Sequence, residues 1–236
     1  MVMDNTTEWR TEFNLLYNNI MSDQAPGLND YEVSCVLTQA QEELIITLYS
    51  GRRLEPFEST EELTQYLSPL VNQVTLTQEK QVSDSLKISS NSHFFDLPQN
   101  LWFKTFEKAI VRDDSLNCRG SKEREMIVVP VTQDEFIRTK ENPFKGNNER
   151  RVLSLTPNRF ITELVTKYEI VKYIVRYLRK PNPIILSDLS GTGLTINGQT
   201  SESTCELHEA IHRSILERAV QLARGIWENT VQSQSR

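Results

Sequence analysis

The stretch EIVKYIVRYLRK, Glu169–Lys180, decides the fold class. Read as a strand, it puts Val171, Tyr173, Val175 and Tyr177 on one face, because strand side chains alternate at period two. Read as a helix, it stacks Ile170, Val171, Ile174, Val175 and Leu178 in a stripe. Four β-branched residues and two tyrosines favour the strand, since such side chains suit a pleated surface. The surrounding chain, from about Val74 to Gln199, has the same texture: short runs, many β-branched and aromatic residues, and Pro and Asn as punctuation. Strands are expected at LKISS (86–90), LWFKTFEKAIVR (101–112), REMIVVPV (124–131), RVLSL (151–155) and RFITEL (159–164). A short helix is expected from Thr132, with Glu135 at capping-box spacing, to before Pro143. PIILSDL and GLTING read as a hairpin turning through Ser190, Gly191, Thr192 and Gly193.

Outside this region the signals are helical. Trp9, Phe13, Leu16, Tyr17 and Ile20 follow i, i+4, i+7, i+8, i+11, and Asn5 stands three residues before Glu8. After the break SDQAPGL, Asn29 and Glu32 repeat the capping spacing ahead of the stripe Val33, Val36, Leu37, Ala40, Leu44 and Leu48, with Gly51 as the stop. Ser59 and Glu62 start a third helix, carrying Leu63, Tyr66, Leu67, Leu70 and Val71, which Pro69 ends or kinks near Ser68. Ser203 and Glu206 read as the capping box of a long last helix. Helices, then strands, then one helix make an α+β protein. The expected architecture is a helical bundle of residues 1–72 and 203–230, with a β-rich insertion at 73–202 and a polar tail at 231–236.

Three residues at the start of that last helix, Cys205, His208 and His212, raise the question of a metal site, since thiolate and imidazole both suit zinc. On a helical wheel at about 100° per residue they fall inside the apolar arc, among Leu207, Ile211, Ile215 and Ala219. A packed helix face therefore competes with a ligand set. Leu216, Val220, Ala223 and Trp227 widen that arc past about 200°, where the stripe of an ordinary surface helix is about 100° wide. A helix apolar on two sides is expected to be buried on two sides. Ile211, Ile215, Leu216, Ala219, Val220, Leu222 and Trp227 are the candidate packing and subunit-interface residues.

The chain of 236 residues carries a net charge of −6, which argues against a role that depends on gripping phosphates everywhere. Basic residues nevertheless gather at Lys172, Arg176, Arg179 and Lys180, a candidate charged contact, with the acids Glu55, Glu58, Glu61 and Glu62 as a possible counterpart. Trp102, Phe103 and Phe106 interleave with Lys104 and Lys108, a pattern that also suits base stacking. Three dispersed cysteines make no disulfide framework and point to a reducing cytosol. No secretory signal is expected from MVMDNTTEWR, and no apolar run approaches the roughly 20 residues of a membrane span. SGTGLTING lacks the helix start that a phosphate loop needs. G-x-S-x-G and Walker patterns are absent, and no catalytic residue, cofactor or metal is assigned.

Several segments in order resemble the ring, or head-to-tail connector, proteins of crAss-like podoviruses that infect Bacteroidetes. They are FNLLYNNIMSDQAPGLNDYEVSCVLTQAQEELI, HFFDLPQNLWF, IVVPVTQDEFIRTKENPFKGNNERRVLSL, YIVRYLRKPNPIIL and CELHEAIHRSILERAVQLA. The resemblance implies a virion structural protein without catalytic residues, a homo-oligomer forming a 12-fold ring between portal and tail proteins. Genomic DNA would pass through its channel without specific binding. Such a protein is assembled in the bacterial host cytoplasm and resides in the virion. His208 departs from the resemblance, which leads one to expect proline there, and a proline-accepting position is no obligatory ligand. A metal-binding enzyme and a nucleic-acid-binding accessory protein are the competing readings.

Overall fold

The computed structural model describes residues 5–20, 27–50, 61–113, 122–140 and 151–234. The protein is α+β, with N-terminal helices packed against a C-terminal helix and a central seven-stranded sheet. Its contacts fall into two compact units, Met1–Leu70 with Pro181–Arg236, and Val71–Lys180.

The helical unit holds α1 (Thr6–Ile20), α2 (Asp30–Ser50), α3 (Glu61–Leu67) and α5 (His212–Gln234). Local capping starts the first two as the spacing predicts. The Glu8 amide donates to Asn5 Oδ1 at 2.8 Å. At α2 the box is reciprocal: the Glu32 amide donates to Asn29 Oδ1 at 2.9 Å, and the Asn29 amide donates to Glu32 Oε2 at 2.9 Å. Such caps satisfy amides that have no intrahelical partner. Gly51 and Ser59 lie outside the described residues.

One feature of α2 organises the rest of this unit. Ser34, Thr38 and Gln41, at i, i+4 and i+7, form a buried polar stripe inside an otherwise apolar face. They hold the backbone of an extended segment. The Leu186 amide donates to Ser34 Oγ at 3.0 Å, the Ile184 amide to Thr38 Oγ1 at 3.1 Å, and Gln41 Nε2 to the Asn182 carbonyl at 2.9 Å. An extended segment buried without such partners would strand its amides at a cost of about 1–3 kcal/mol each. Residues 181–202, expected within the insertion, therefore pack with the helices, and the sheet unit ends at Lys180. The hairpin turn is also displaced. Ile196 and Gln199 exchange backbone bonds of 3.0 and 2.9 Å around Asn197 and Gly198, whose φ angles are +50° and +80°. Asn-Gly is the pair that tolerates two positive φ values in succession. Ser190 instead closes a local turn on Asp188.

The sheet unit holds β1 (Val71–Leu76), β2 (Ser92–Asp96), β3 (Leu101–Arg112), β4 (Glu123–Pro130), α4 (Gln133–Lys140), β5 (Arg151–Asn158), β6 (Ile161–Val165) and β7 (Glu169–Arg179). Their spatial order is β1-β7-β3-β4-β5-β6-β2. All neighbours are antiparallel except β4 and β5, which α4 connects. EIVKYIVRYLRK is a strand, with Tyr173, Val175 and Tyr177 buried on one face. The sheet curls. Lys80 lies four residues past the end of edge strand β1, yet its amide donates to the Phe94 carbonyl of the opposite edge strand at 2.7 Å. All seven strands consequently feed one core, and Phe95 of β2 meets Tyr173 of β7 at 5.4 Å between ring centroids.

Two strands escaped the sequence reading, and one predicted strand is not one. Pro69 turns the chain into a 3-10 turn at Ser68–Leu70, which releases Val71 into β1 rather than into a helical stripe. The stretch 86–90 follows a 3-10 turn at Asp84–Leu86, tied by the Lys87–Asp84 ion pair at 2.7 Å, and the strand begins only at Ser92.

Ile215 is fully buried in α5. Ile215→Ala is expected to cost about 2–5 kcal/mol, read as a lower midpoint in chemical denaturation with an unchanged slope.

Candidate functional site

The approach to α5 is built differently from the predicted capping box. The Ser203 hydroxyl donates to the Pro183 carbonyl at 2.6 Å, and the Glu206 carboxylate accepts from the Asn182 amide and side chain at 2.9 and 3.2 Å. Both side chains are thus committed to the strap at 182–185. The helix begins later, through a 3-10 turn at Glu209–Ile211, and His208 is its cap: Nδ1 accepts from the Ala210 amide at 3.2 Å. With φ at −59°, His208 already has the backbone angle of a proline.

Cys205, His208 and His212 do not act together. His208 caps the helix and lies tilted against Tyr66, 6.0 Å between ring centroids, with Nε2 3.4 Å from Gln65. His212 is buried, lies 5.1 Å from the Trp9 ring and bonds the Leu207 carbonyl through Nε2 at 3.0 Å. Cys205 is a buried free thiol, which burial pushes up to about 12, so it stays protonated at neutral pH. Among the described residues no group of three or more His, Cys, Asp or Glu is placed to hold a metal ion.

The candidate interface residues of the last helix divide. Ile211, Ile215, Leu216, Ala219 and Val220 are buried, and α5 packs against α1 and α2. The wide apolar arc is therefore largely consumed within the subunit. Leu222 and Trp227 are half-buried, and their neighbour Ile226 is 58% exposed. The cationic set divides too. Lys172 and Arg176 are exposed on one face of β7, with Arg176 reaching Gln73 at 3.5 Å. Arg179 and Lys180 sit where the strand ends, and the Lys180 amide donates to the Asn100 carbonyl at 2.9 Å. Glu55 and Glu58 lie outside the described residues.

The sheet core contains a polar cluster that sequence reasoning missed. Lys104 Nζ reaches Glu107 Oε1 at 2.6 Å and Thr162 Oγ1 at 2.7 Å, and the Tyr173 hydroxyl donates to Glu107 Oε1 at 2.6 Å. Burial, reinforced by the Glu107 carboxylate, pushes the Tyr173 phenol far above its ordinary range and keeps it a donor. A buried carboxylate needs this pairing, because removing one partner leaves an uncompensated charge. A detectable signal existed: Glu107 shares its strand face with Ala109 and Val111, where alternation calls for an apolar residue.

His208→Ala is expected to cost about 1 kcal/mol, as loss of a helix cap does, and by the same amount with or without a chelator in thermal melts. Alkali is expected to destabilise the fold. An unfolded chain releases the Cys205 and Tyr173 protons near the ordinary values of 9.0 and 10.0, while the folded chain retains them. Stability is then full below about pH 9 and falls as pH rises toward 12, measured by denaturation across that range.

The profile of a family described as Phage tail ring protein 3/4 matches residues 3–235. Ring protein 3 of Bacteroides phage crAss001 is 45% identical over 219 residues, covering 92% of this chain and 93% of that protein. Ring protein 4/5 of the same phage is 32% identical over 242 residues, covering 97% and 96%. With the α+β architecture in place and the match running almost from end to end, this chain belongs to the phage tail ring protein 3/4 family of crAss-like phages.

Proposed function

We propose that this protein builds one ring of the portal-to-tail connector of a short-tailed crAss-like phage. About twelve copies close into a ring through heterologous contacts, each subunit using two different surfaces. Its partners are the portal and other connector or tail proteins, and the genome passes through the central channel. Its role is structural and not enzymatic. The observation that carries this reading is the extent of the family match, residues 3–235, which accounts for both the helical and the sheet unit.

Physical properties support it. The net charge of −6 disfavours tight phosphate binding, and a conduit must let DNA slide. Among the described residues no helix is long and apolar enough to cross a membrane. The two histidines and the cysteine that suggested metal chemistry serve as a cap, a ring contact and a buried thiol.

Imaging of the purified protein, alone and with portal, tests the proposal. Class averages are expected to show closed rings of about twelve subunits. A monomer under both conditions, or open filaments, would contradict it. In the same preparation, duplex DNA is expected to be retained only weakly at physiological salt.

A further inference from the structure

The charge of the chain is unevenly divided. The helical unit holds seven Lys or Arg against eighteen Asp or Glu, a net −11. The sheet unit holds nineteen against fourteen, a net +5, and the two together give the −6 of the chain.

The sheet unit also presents an uncovered face. Cross-strand registry fixes which side chains share it: Arg176, Ile174 and Lys172 of β7 stand opposite Phe106, Lys108 and Ile110 of β3. Lys108 and Ile110 in turn stand opposite Ile127 and Glu125 of β4. This is the side away from Tyr173, Val175, Ala109 and Met126, which are buried in the core. On the β5–β6 half of the outer side, Phe136 of α4 packs over Leu153 and Leu155. On the β4–β3–β7 half, Ile127 is 66% exposed and Phe106 37% exposed, with Lys172 and Arg176 exposed beside them. Apolar residues at the centre and charges at the rim are the anatomy of a protein interface. A phosphate-binding face would carry unopposed cations, whereas here Glu125 meets Lys108 at 3.1 Å and Glu169 meets Arg112 at 2.8 Å.

The helical unit offers a surface of matching character. Glu8, Glu12 and Leu15 lie at i, i+4 and i+7 on α1, and Leu15 is 53% exposed. The outer side of α5, by contrast, carries Arg213, Arg218 and Arg224. Leu15 on α1 and Ile127 and Phe106 on the sheet are exposed in the single subunit.

We propose that the outer β4–β3–β7 face docks on the acidic outer face of α1 in a second copy of the chain. This rests on the ring reading above and assigns its surfaces. Ile127, Phe106 and Ile174 meet Leu15, and Lys172 and Arg176 meet Glu8 and Glu12. The two surfaces differ, so the contact is heterologous and suits a closed ring.

The test is the mass of the full-length protein by analytical ultracentrifugation, with folding checked by circular dichroism. Wild type is expected to assemble. Ile127→Asp, and separately Lys172→Glu with Arg176→Glu, are expected to leave folded single subunits. Adding Glu8→Lys and Glu12→Lys to the double charge reversal restores assembly. At 1 M salt, where the screening length falls to about 3 Å, wild-type association weakens at least tenfold. Variants that assemble like wild type overturn this surface and leave the ring reading standing; a wild type that stays monomeric overturns both. Loss of duplex DNA binding in Lys172→Glu/Arg176→Glu with assembly unchanged puts nucleic acid on this face and overturns the proposal. A photo-crosslinking residue at position 127, in an otherwise wild-type chain, is expected to capture residues 5–20 of a second copy; capture of any other segment overturns it.

Discussion

The antiparallel pairing of β1 with β7 is the constraint on which the rest depends. It runs from Val71 opposite Leu178 to Leu76 opposite Tyr173. The chain leaves the helical unit at Leu70 and returns at Pro181, so this ladder holds the two crossing points side by side. An inserted unit with adjacent ends can be added to a bundle without separating the elements that flank it. β7 then templates β3 along its other edge, and the register of the remaining strands follows outward to β2. The curl returns the chain just past β1 to Phe94, which lets one core serve all seven strands.

Legibility in the sequence followed the range of the interactions. The caps at Asn5 and Asn29 were readable because both partners lie within three residues. The strand in EIVKYIVRYLRK was readable because burial on one face imposes period two. What misled was local pattern without knowledge of a distant partner. Ser203 and Glu206 have capping spacing, but Pro183 and Asn182 claim them, so the helix starts at His212. Ser34, Thr38 and Gln41 carry no local signal of their role, and their purpose appears only with residues 182–186 beside them. Glu107 was legible as an anomaly, though not its partners Lys104 and Tyr173.

The functional site was less legible than the fold, for a related reason. A wide apolar arc on the last helix has two physical explanations, burial in the subunit or burial between subunits. The pattern alone does not separate them. The fold spends most of that arc on α1 and α2. The contact proposed between copies uses surfaces the subunit leaves open, with Ile127 and Phe106 on the sheet and Leu15 on α1, while Ile46 on α2 and Ile226 on α5 are exposed as well. The opposite charges of the two units give those surfaces a direction. A basic sheet face and an acidic helix face attract across subunits and repel their own kind, which disfavours face-to-face dimers and favours continuation around a ring.

A cryo-electron microscopy reconstruction of the assembled ring tests this account most directly. It should place Ile127, Lys172 and Arg176 of each subunit against Glu8, Glu12 and Leu15 of the next, with α5 enclosed by its own α1 and α2. A ring in which the β4–β3–β7 face stands open to solvent, or in which α5 is shared between neighbours, would contradict it.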